Sequence, residues 1–506
     1  MALSMIRDRA KIGVEGDWRS AEMYRGPLEY TYPDSNGDGI ANNGKPIYTT
    51  AQAAAQLARS GAVWDVSDGK ITYTFLNKPS GQYNSSSGKL DEFFASSPKD
   101  YVAGFSPFTA AQRAAARDSM GMWDDLIAPK FVEVTGKGAA DISLMNTNTG
   151  PAQASAYQPF YSGDHGRFQK IQGDVYINSA QPDNFDLYYG GYGQTTMTHE
   201  IGHAIGLSHP GDYNFAVGRS IDYAKDAVYF QDSKQFSIMS YFDSGKTGAK
   251  GYVNWATGGF FQNPQTPMVH DIAAVQSIYG ADPTTRTGNT TYGFNVTADL
   301  ADRPVFDFTK NINPFLTIYD AGGHDTLDMS GWSRNFVLDL REGNFSTGWG
   351  QEVNAAQLTA LYGIPFSQAQ WDALFEGRLG SNPGFLTDNI GIAFGTVIED
   401  GITGAGNDRL IGNDAANRLN GGAGNDTYTG GGGADTFVVK NAGNTDTLTD
   451  FKSGLDKVDL SSFGIHASDI TISGKTIFAD INGDKVADLA IVSQGDAITL
   501  TDIIFG

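Results

Sequence analysis

The chain has 506 residues, 57 of them acidic against 35 basic, for a formal net charge of −22. Such a surface disfavours nucleic acid and anionic membrane as partners; it suits a protein that binds cations, although on charge alone plain solubility is the better reading. The complete absence of cysteine excludes disulfide scaffolds, thiolate zinc sites and cysteine nucleophiles.

The length predicts two or more domains, and no apolar run reaches the length of a membrane span. Residues 1 to about 20 lack periodicity and the apolar core of an ordinary signal peptide; they read as a tail or a short pro-segment. DSNGDG (Asp34–Gly39) begins like an EF-hand loop, but its twelfth position is Lys45, so an Asx-rich turn is the better reading. Thr49–Gly61 reads as a helix with a threonine cap, an alanine-rich body and a glycine stop. ITYTFL (Ile71–Leu76) alternates as a strand. Phe108–Ile127 has the apolar spacing of a long amphipathic helix. FVEV, ADISLMN and GDVYIN read as three short strands, and a helix over Tyr192–Gly206 follows.

From about Gly288 Asp, Asn, Gly and Thr rise and helical spacing nearly vanishes, with one exception. Asn354–Leu379 carries helical periodicity inside a strand-rich region and reads as an insertion. Between Thr403 and Val438 the chain repeats every nine residues: TGAGNDRLI, GNDAANRLN, GGAGNDTYT, GGGGADTFV. This is the calcium nonapeptide G-G-x-G-x-D-x-U-x. Its glycines (Gly404, Gly406, Gly421, Gly422, Gly424, Gly430, Gly431, Gly433) shape the turns, and Asp408, Asp426 and Asp435 at position six face a metal together with turn carbonyls. Leu410, Leu419, Tyr428 and Phe437 at position eight point inward. Two nonapeptides make one coil of a β-roll, so Asp408 and Asp426 share one side and Asn417 and Asp435 the other. Asn417 breaks the pattern, and its side should hold calcium less well. DINGD (Asp480–Asp484) lacks the rest of a calcium loop and reads as a turn, and His165, His324 and His466 stand alone.

Three of the seven histidines crowd into THEIGHAIGLSH. His199 and His203, four apart on a helix, share a face. Gly206 permits a sharp turn that returns His209 as a third ligand. Three neutral nitrogens with one open position describe a catalytic zinc site, and Glu200 can reach water there without being a ligand. SIMSYF (Ser237–Phe242) supplies a Met-turn, with Met239 packed beneath the metal; the long zinc motif followed by a Met-turn is the metzincin signature.

YGQTTMTHEIGHAIGLSHPGDYN, DAVYFQDSKQFSIMSYF, VHDIAAVQSIYGADPTTRTGNTTYGF, YDAGGHDTLDMSG, the nonapeptides and DFKSGLDKVDLSSFG occur in this order. Together they resemble the serralysin-type metzincin proteases from about Gly44 onward. The resemblance implies a two-domain chain: an α/β metzincin zinc-protease domain (21–287, after a pro-segment at 1–20), then an all-β parallel β-roll or β-sandwich domain that binds several calcium ions (288–506). The insertion would span about 348–385, and TDIIFG resembles a C-terminal export signal. Tyr241 would ligate zinc at rest and stabilise the oxyanion in turnover, and ADISLMN and QASAY match the region where substrate lies along an edge strand. The expected function is a secreted, extracellular zinc endopeptidase exported by a type I route. Its expected partners are protein or peptide substrates, the type I secretion apparatus and a proteinaceous inhibitor, with the chain a monomer. Three departures stand out: the nonapeptide block is short, the helical insertion after REGNFS (Arg341–Ser346) is not part of the family pattern, and His270 stands where that pattern favours an acidic residue. A calcium-dependent binding protein and a narrow processing protease are the competing readings.

Overall fold

The computed structural model describes residues 34–79, 101–135, 140–159, 171–214, 219–249, 263–348 and 386–506, apart from Ser35, Val102 and Phe336, with a few isolated positions between 350 and 370. The N-terminal segment 1–20 and His165 lie outside the described residues, as does nearly all of the helical segment 354–379. The described residues form two compact units: the chain to 249 with 263–283 and 315–317, and a second made of 284–314 and 318–506.

The first unit sets helices against a mixed sheet. α1 (Thr50–Leu57) and α2 (Ala110–Asp124) both begin with a capping box. Thr49 and Thr109 accept the backbone N–H of Gln52 and Gln112, whose side chains accept the cap N–H in return. The strands are β1 (Lys70–Phe75), β2 (Phe105–Ser106), β3 (Lys130–Glu133), β4 (Ile142–Thr147), β5 (Ala154–Ala156) and β6 (Asp174–Asn178), and their order is β3-β1-β4-β6-β5, with β2 beside β4. β1, β3, β4 and β6 are mutually parallel. All six residues of β4 are buried, as expected of a parallel strand covered on both faces. β5 runs antiparallel to β6, pairing Ser155 with Tyr176, and is the sheet's edge.

α3 (Tyr192–Ala204) is buried along almost its whole length, so its polar residues must find partners inside. α2 supplies them: Ser119 Oγ meets Thr198 Oγ1 at 2.8 Å, Gln194 Nε2 donates to Ser119 Oγ at 3.0 Å, and Trp123 Nε1 donates to the Thr198 carbonyl at 3.1 Å. α4 (Val269–Tyr279) closes the unit and ends at Gly280, where φ is +79°.

The second unit is a roll of short strands in two seven-stranded sheets, and it also holds the antiparallel pair Phe345–Ser346 and Ile390–Ile392 of a smaller sheet. One holds β7 (Thr291–Gly293), β8 (Thr326–Asp328), β10 (Asp400–Ile402), β12 (Arg418–Asn420), β14 (Thr436–Val438), β16 (Lys457–Asp459) and β20 (Ile503–Ile504) as parallel neighbours. The other runs β9 (Val337–Asp339), β11 (Arg409–Ile411), β13 (Thr427–Thr429), β15 (Thr445–Leu448), β19 (Leu489–Ser493), and ends in the antiparallel pair β18 (Thr476–Ala479) and β17 (Ile470–Ser473). Successive strands alternate between sheets, so Leu410 pairs with Tyr428 and Leu419 with Phe437. These four side chains are buried and fill the roll. Rolling continues well beyond the four nonapeptides on both sides, so the block that looks short in sequence is the middle of a longer array.

Candidate active site

The C-terminal half of α3 carries His199, Glu200 and His203. The chain leaves the helix at Gly206, where φ is +107° and a Cβ would stand 2.2 Å from the Ala62 carbonyl oxygen. Glycine tolerates both conditions, and the turn brings His209 to the other two histidines. Each Nδ1–H donates to a backbone carbonyl: His199 to Ile238 at 2.8 Å, His203 to Leu207 at 2.7 Å, and His209 to Tyr213 at 2.8 Å. These bonds select the tautomer whose Nε2 carries a bare lone pair. The Nε2 atoms then converge, 3.2 Å apart for His199 and His209 and 3.0 Å for His203 and His209. Burial, reinforced by neighbouring imidazoles, lowers His199 to about 3 and His209 well below its ordinary value; burial lowers His203 to about 4. Three neutral nitrogen donors facing one point repel each other unless a cation sits between them, and this donor set fits a zinc ion with a coordination place left for water or substrate.

Glu200 is buried, and its Oε2 has no hydrogen-bond partner among the described residues. Desolvation lifts its carboxyl to about 8. Tyr241 is 40% exposed, with its ring 4.4 Å from that of His209 and 6.0 Å from that of His199. Met239 is wholly buried, and a Cβ on Gly202 would fall 2.7 Å from its sulfur. The thioether therefore rests on the helix between the two histidines.

The structure adds a residue that the sequence did not single out. The buried Asp271 accepts Ser237 Oγ and the Ile238 N–H, both at 2.6 Å, and the Met268 N–H at 2.8 Å. Ile238 is also the acceptor for His199, so Asp271 braces the Met-turn behind the first histidine. Its neighbour His270 packs between Phe236 and Tyr229. Of the two segments matched to an edge strand, only QASAY (β5) is one; ADISLMN forms β4, between β1 and β6, so its backbone groups are already paired within the sheet.

In the roll, the position-six acids Asp426 and Asp435 accept the position-six N–H of the coil before. Asp426 accepts from Asp408 at 2.8 Å and Asp435 from Asn417 at 2.9 Å. The same ladder continues through Asp446 to Asp426 at 2.9 Å and Asp456 to Asp435 at 3.0 Å. Asp446 and Asp456 stand outside the strict nonapeptides, yet each keeps the D-x-U spacing to a buried Leu448 or Val458, a signal that could have found them. The turns are tight: a Cβ on Gly424 would lie 1.5 Å from Gly406 O, one on Gly422 1.9 Å from Gly404 O, and one on Gly421 or Gly430 2.3 or 2.2 Å from the carboxylate of Asp426 or Asp435. Gly431 and Gly433 are likewise seated against the backbone of 413–416. Burial first, then neighbouring aspartates, raises Asp426 to about 8 and Asp435 to about 7, while burial raises Asp446 to about 6. Buried acids stacked on one another in this way fit a cation in the turns.

At the start of the roll Asp325 shows the same features. One oxygen accepts the Thr290 N–H at 2.8 Å, the other is buried with no hydrogen bond among the described residues, and burial followed by repulsion from Asp320 and Glu399 lifts it to about 7. By contrast, Asp34 spends both oxygens on the N–H groups of Gly37 and Gly39, and Asp480 on those of Gly483 and Lys485. Both loops are held by aspartate-to-backbone bonds, with Asx turns at Asp38 and Asp484 inside them.

A convergent histidine trio beside a buried, unpaired carboxylate is the arrangement of a metal-dependent hydrolase. Comparison with known proteins agrees. The family Peptidase M10 serralysin C terminal matches residues 281–361 and 359–505. Metallopeptidase AprA of Pseudomonas marginalis is 33% identical over 99% of this chain and 100% of its own. Metalloprotease AprA of Pseudomonas entomophila (strain L48) is 34% identical over 92% of both chains, and serralysin B of Dickeya chrysanthemi 35% identical over 87% of this chain and 83% of its own. The chain belongs to the serralysin family of metalloproteases.

Proposed function

We propose that this metalloprotease is a secreted zinc endopeptidase whose roll is stabilised by calcium. The observation that carries the reading is the convergence of three neutral Nε2 atoms next to the unpaired carboxylate of Glu200. Zinc, when bound there, supplies a Lewis acid that makes water a nucleophile near neutral pH. His199, His203 and His209 hold it, each fixed by its backbone carbonyl. Glu200 takes the proton of the attacking water and passes it to the leaving amine; a cation beside it draws its raised pKa back down. The Tyr241 phenol stands at the histidines and donates to the developing oxyanion. β5, with its outer edge unpaired among the described residues, is the natural rail for an extended peptide.

Asp408, Asp426 and Asp435, with the glycine turns around them, are the proposed calcium ligands of the roll, joined by Asp446, Asp456 and the Asp325 cluster. The cation-free roll stacks buried acids, so it folds poorly where calcium is scarce and well where calcium is plentiful. That suits passage through a type I exporter as an unfolded chain. The cleavage of a short N-terminal segment on activation belongs to the same proposal.

Replacing Glu200 by Gln separates the roles. The variant should keep its zinc and its fold, and lose about 10²-fold or more in kcat on casein. A Glu200→Gln enzyme with wild-type turnover would remove the carboxylate from the mechanism.

A further inference from the structure

Asp232 precedes the Met-turn and is wholly buried. Its Oδ1 accepts two hydroxyls, Tyr213 Oη and Ser240 Oγ, each at 2.8 Å. Its Oδ2 is buried and finds no hydrogen bond among the described residues. Lys45 and Arg59 act on it only as more distant charges, and burial lifts it to about 7. A carboxylate kept dry on two neutral donors is costly, and each donor leads to a different part of the active site.

Tyr213 leads to the third histidine. Its carbonyl accepts His209 Nδ1–H at 2.8 Å, and its ring lies nearly parallel to that imidazole at 5.4 Å. Ser240 leads to the tyrosine. It is the residue before Tyr241, and its Oγ also accepts the Phe242 N–H at 3.1 Å. One hydroxyl therefore holds the backbone on both sides of Tyr241, whose ring sits 4.4 Å from His209 and 5.2 Å from Tyr213.

We propose that Asp232 is a positioning residue of the hydrolytic site, whose Oδ1 ties the turn carrying His209 to the turn carrying Tyr241 and so sets where the Tyr241 phenol stands beside the metal centre. This rests on the protease reading above. Asp232 touches neither substrate nor metal ligand; it acts through Ser240 on one side and Tyr213 on the other. Because Tyr241 acts on the developing oxyanion, losing its anchor should lower kcat and spare KM. An asparagine keeps the Oδ1 acceptor and should restore most of the function; an alanine keeps nothing.

The test is a double-mutant cycle on the full chain, with kcat and KM measured on a quenched fluorescent peptide and zinc counted per molecule. Asp232→Ala should lose about 10- to 100-fold in kcat, hold KM within about twofold, and retain its zinc. Asp232→Asn should recover most of that loss. In a Tyr241→Phe background, Asp232→Ala should cost almost nothing further. Losses that multiply in the double variant, or a loss explained by missing zinc, would overturn the positioning role. If Asp232→Ala does not fold, Ser240→Ala enters the same cycle with the same two outcomes. A wild-type enzyme that cleaves while the cycle is additive sinks this inference alone; one that holds zinc and cleaves nothing sinks the protease reading and this role with it.

Discussion

At Gly206 the absence of one carbon decides whether His209 reaches the other histidines. The backbone there has φ of +107°, and a Cβ would sit 2.2 Å from the Ala62 oxygen. Gly206→Ala should therefore cost about 2 kcal/mol or more, read as a lower Tm, and weaken zinc retention because the third ligand is displaced; unchanged melting and zinc content would show that the turn relaxes. The histidine trio was legible in the sequence because its spacing is local: a helical period of four, then a glycine turn, spans eleven residues. Asp232 and Asp271 were not legible. Asp271 meets Ser237 and Ile238 more than thirty positions away, and Asp232 meets Tyr213 nineteen positions away. In sequence, Asp232 in the polar stretch QDSKQ looks solvated and Asp271 looks like an ordinary acid, and only the packed fold reveals that both are dry.

The repeating coil is the element in which a side-chain amide replaces an acid. Asn417 Nδ2 donates to the Glu399 carbonyl at 2.9 Å, and its Oδ1 accepts the Asn413 N–H at 2.8 Å. An amide N–H thus meets a carbonyl of the kind that would otherwise face a cation, which is a physical reason for this turn to hold calcium less well. Asn417→Asp should add one calcium per chain, counted by equilibrium dialysis; an unchanged count would mean that this turn is shaped against the ion by its backbone. The repeat itself was read from spelling, and the spelling covers only its middle. β8, β15 and β16 follow the same coil with only an acid two residues before a buried Leu or Val, because the core demands the inward residue while turn lengths are free to drift. Strand position within a sheet was less legible: ADISLMN read as a short strand and was matched, with QASAY, to an edge-strand region, but which of the two is the edge depends on partners remote in sequence.

For the molecule as a whole, the proposed calcium ions would compete with protons for the roll. Asp446, Asp435 and Asp426 stand at about 6, 7 and 8 in the folded chain, against an ordinary 3.8. A raised folded pKa means that the calcium-free fold is favoured fully below about 4 and loses that contribution as pH rises through 6, 7 and 8. Calcium needs the deprotonated acids, so its apparent affinity should climb over the same interval. A calcium titration followed by circular dichroism at pH 6 and pH 8 checks this; tighter binding at pH 6 would contradict the assignment of these acids as ligands. The most direct measurement for the molecule is zinc content beside proteolysis: metal counted per chain, and casein cleavage followed in calcium before chelation, after removal of zinc, and after its return. One zinc per chain, cleavage lost with it and regained on adding it back is the predicted result. Cleavage that persists in the zinc-free, calcium-folded protein would contradict the role given to His199, His203 and His209.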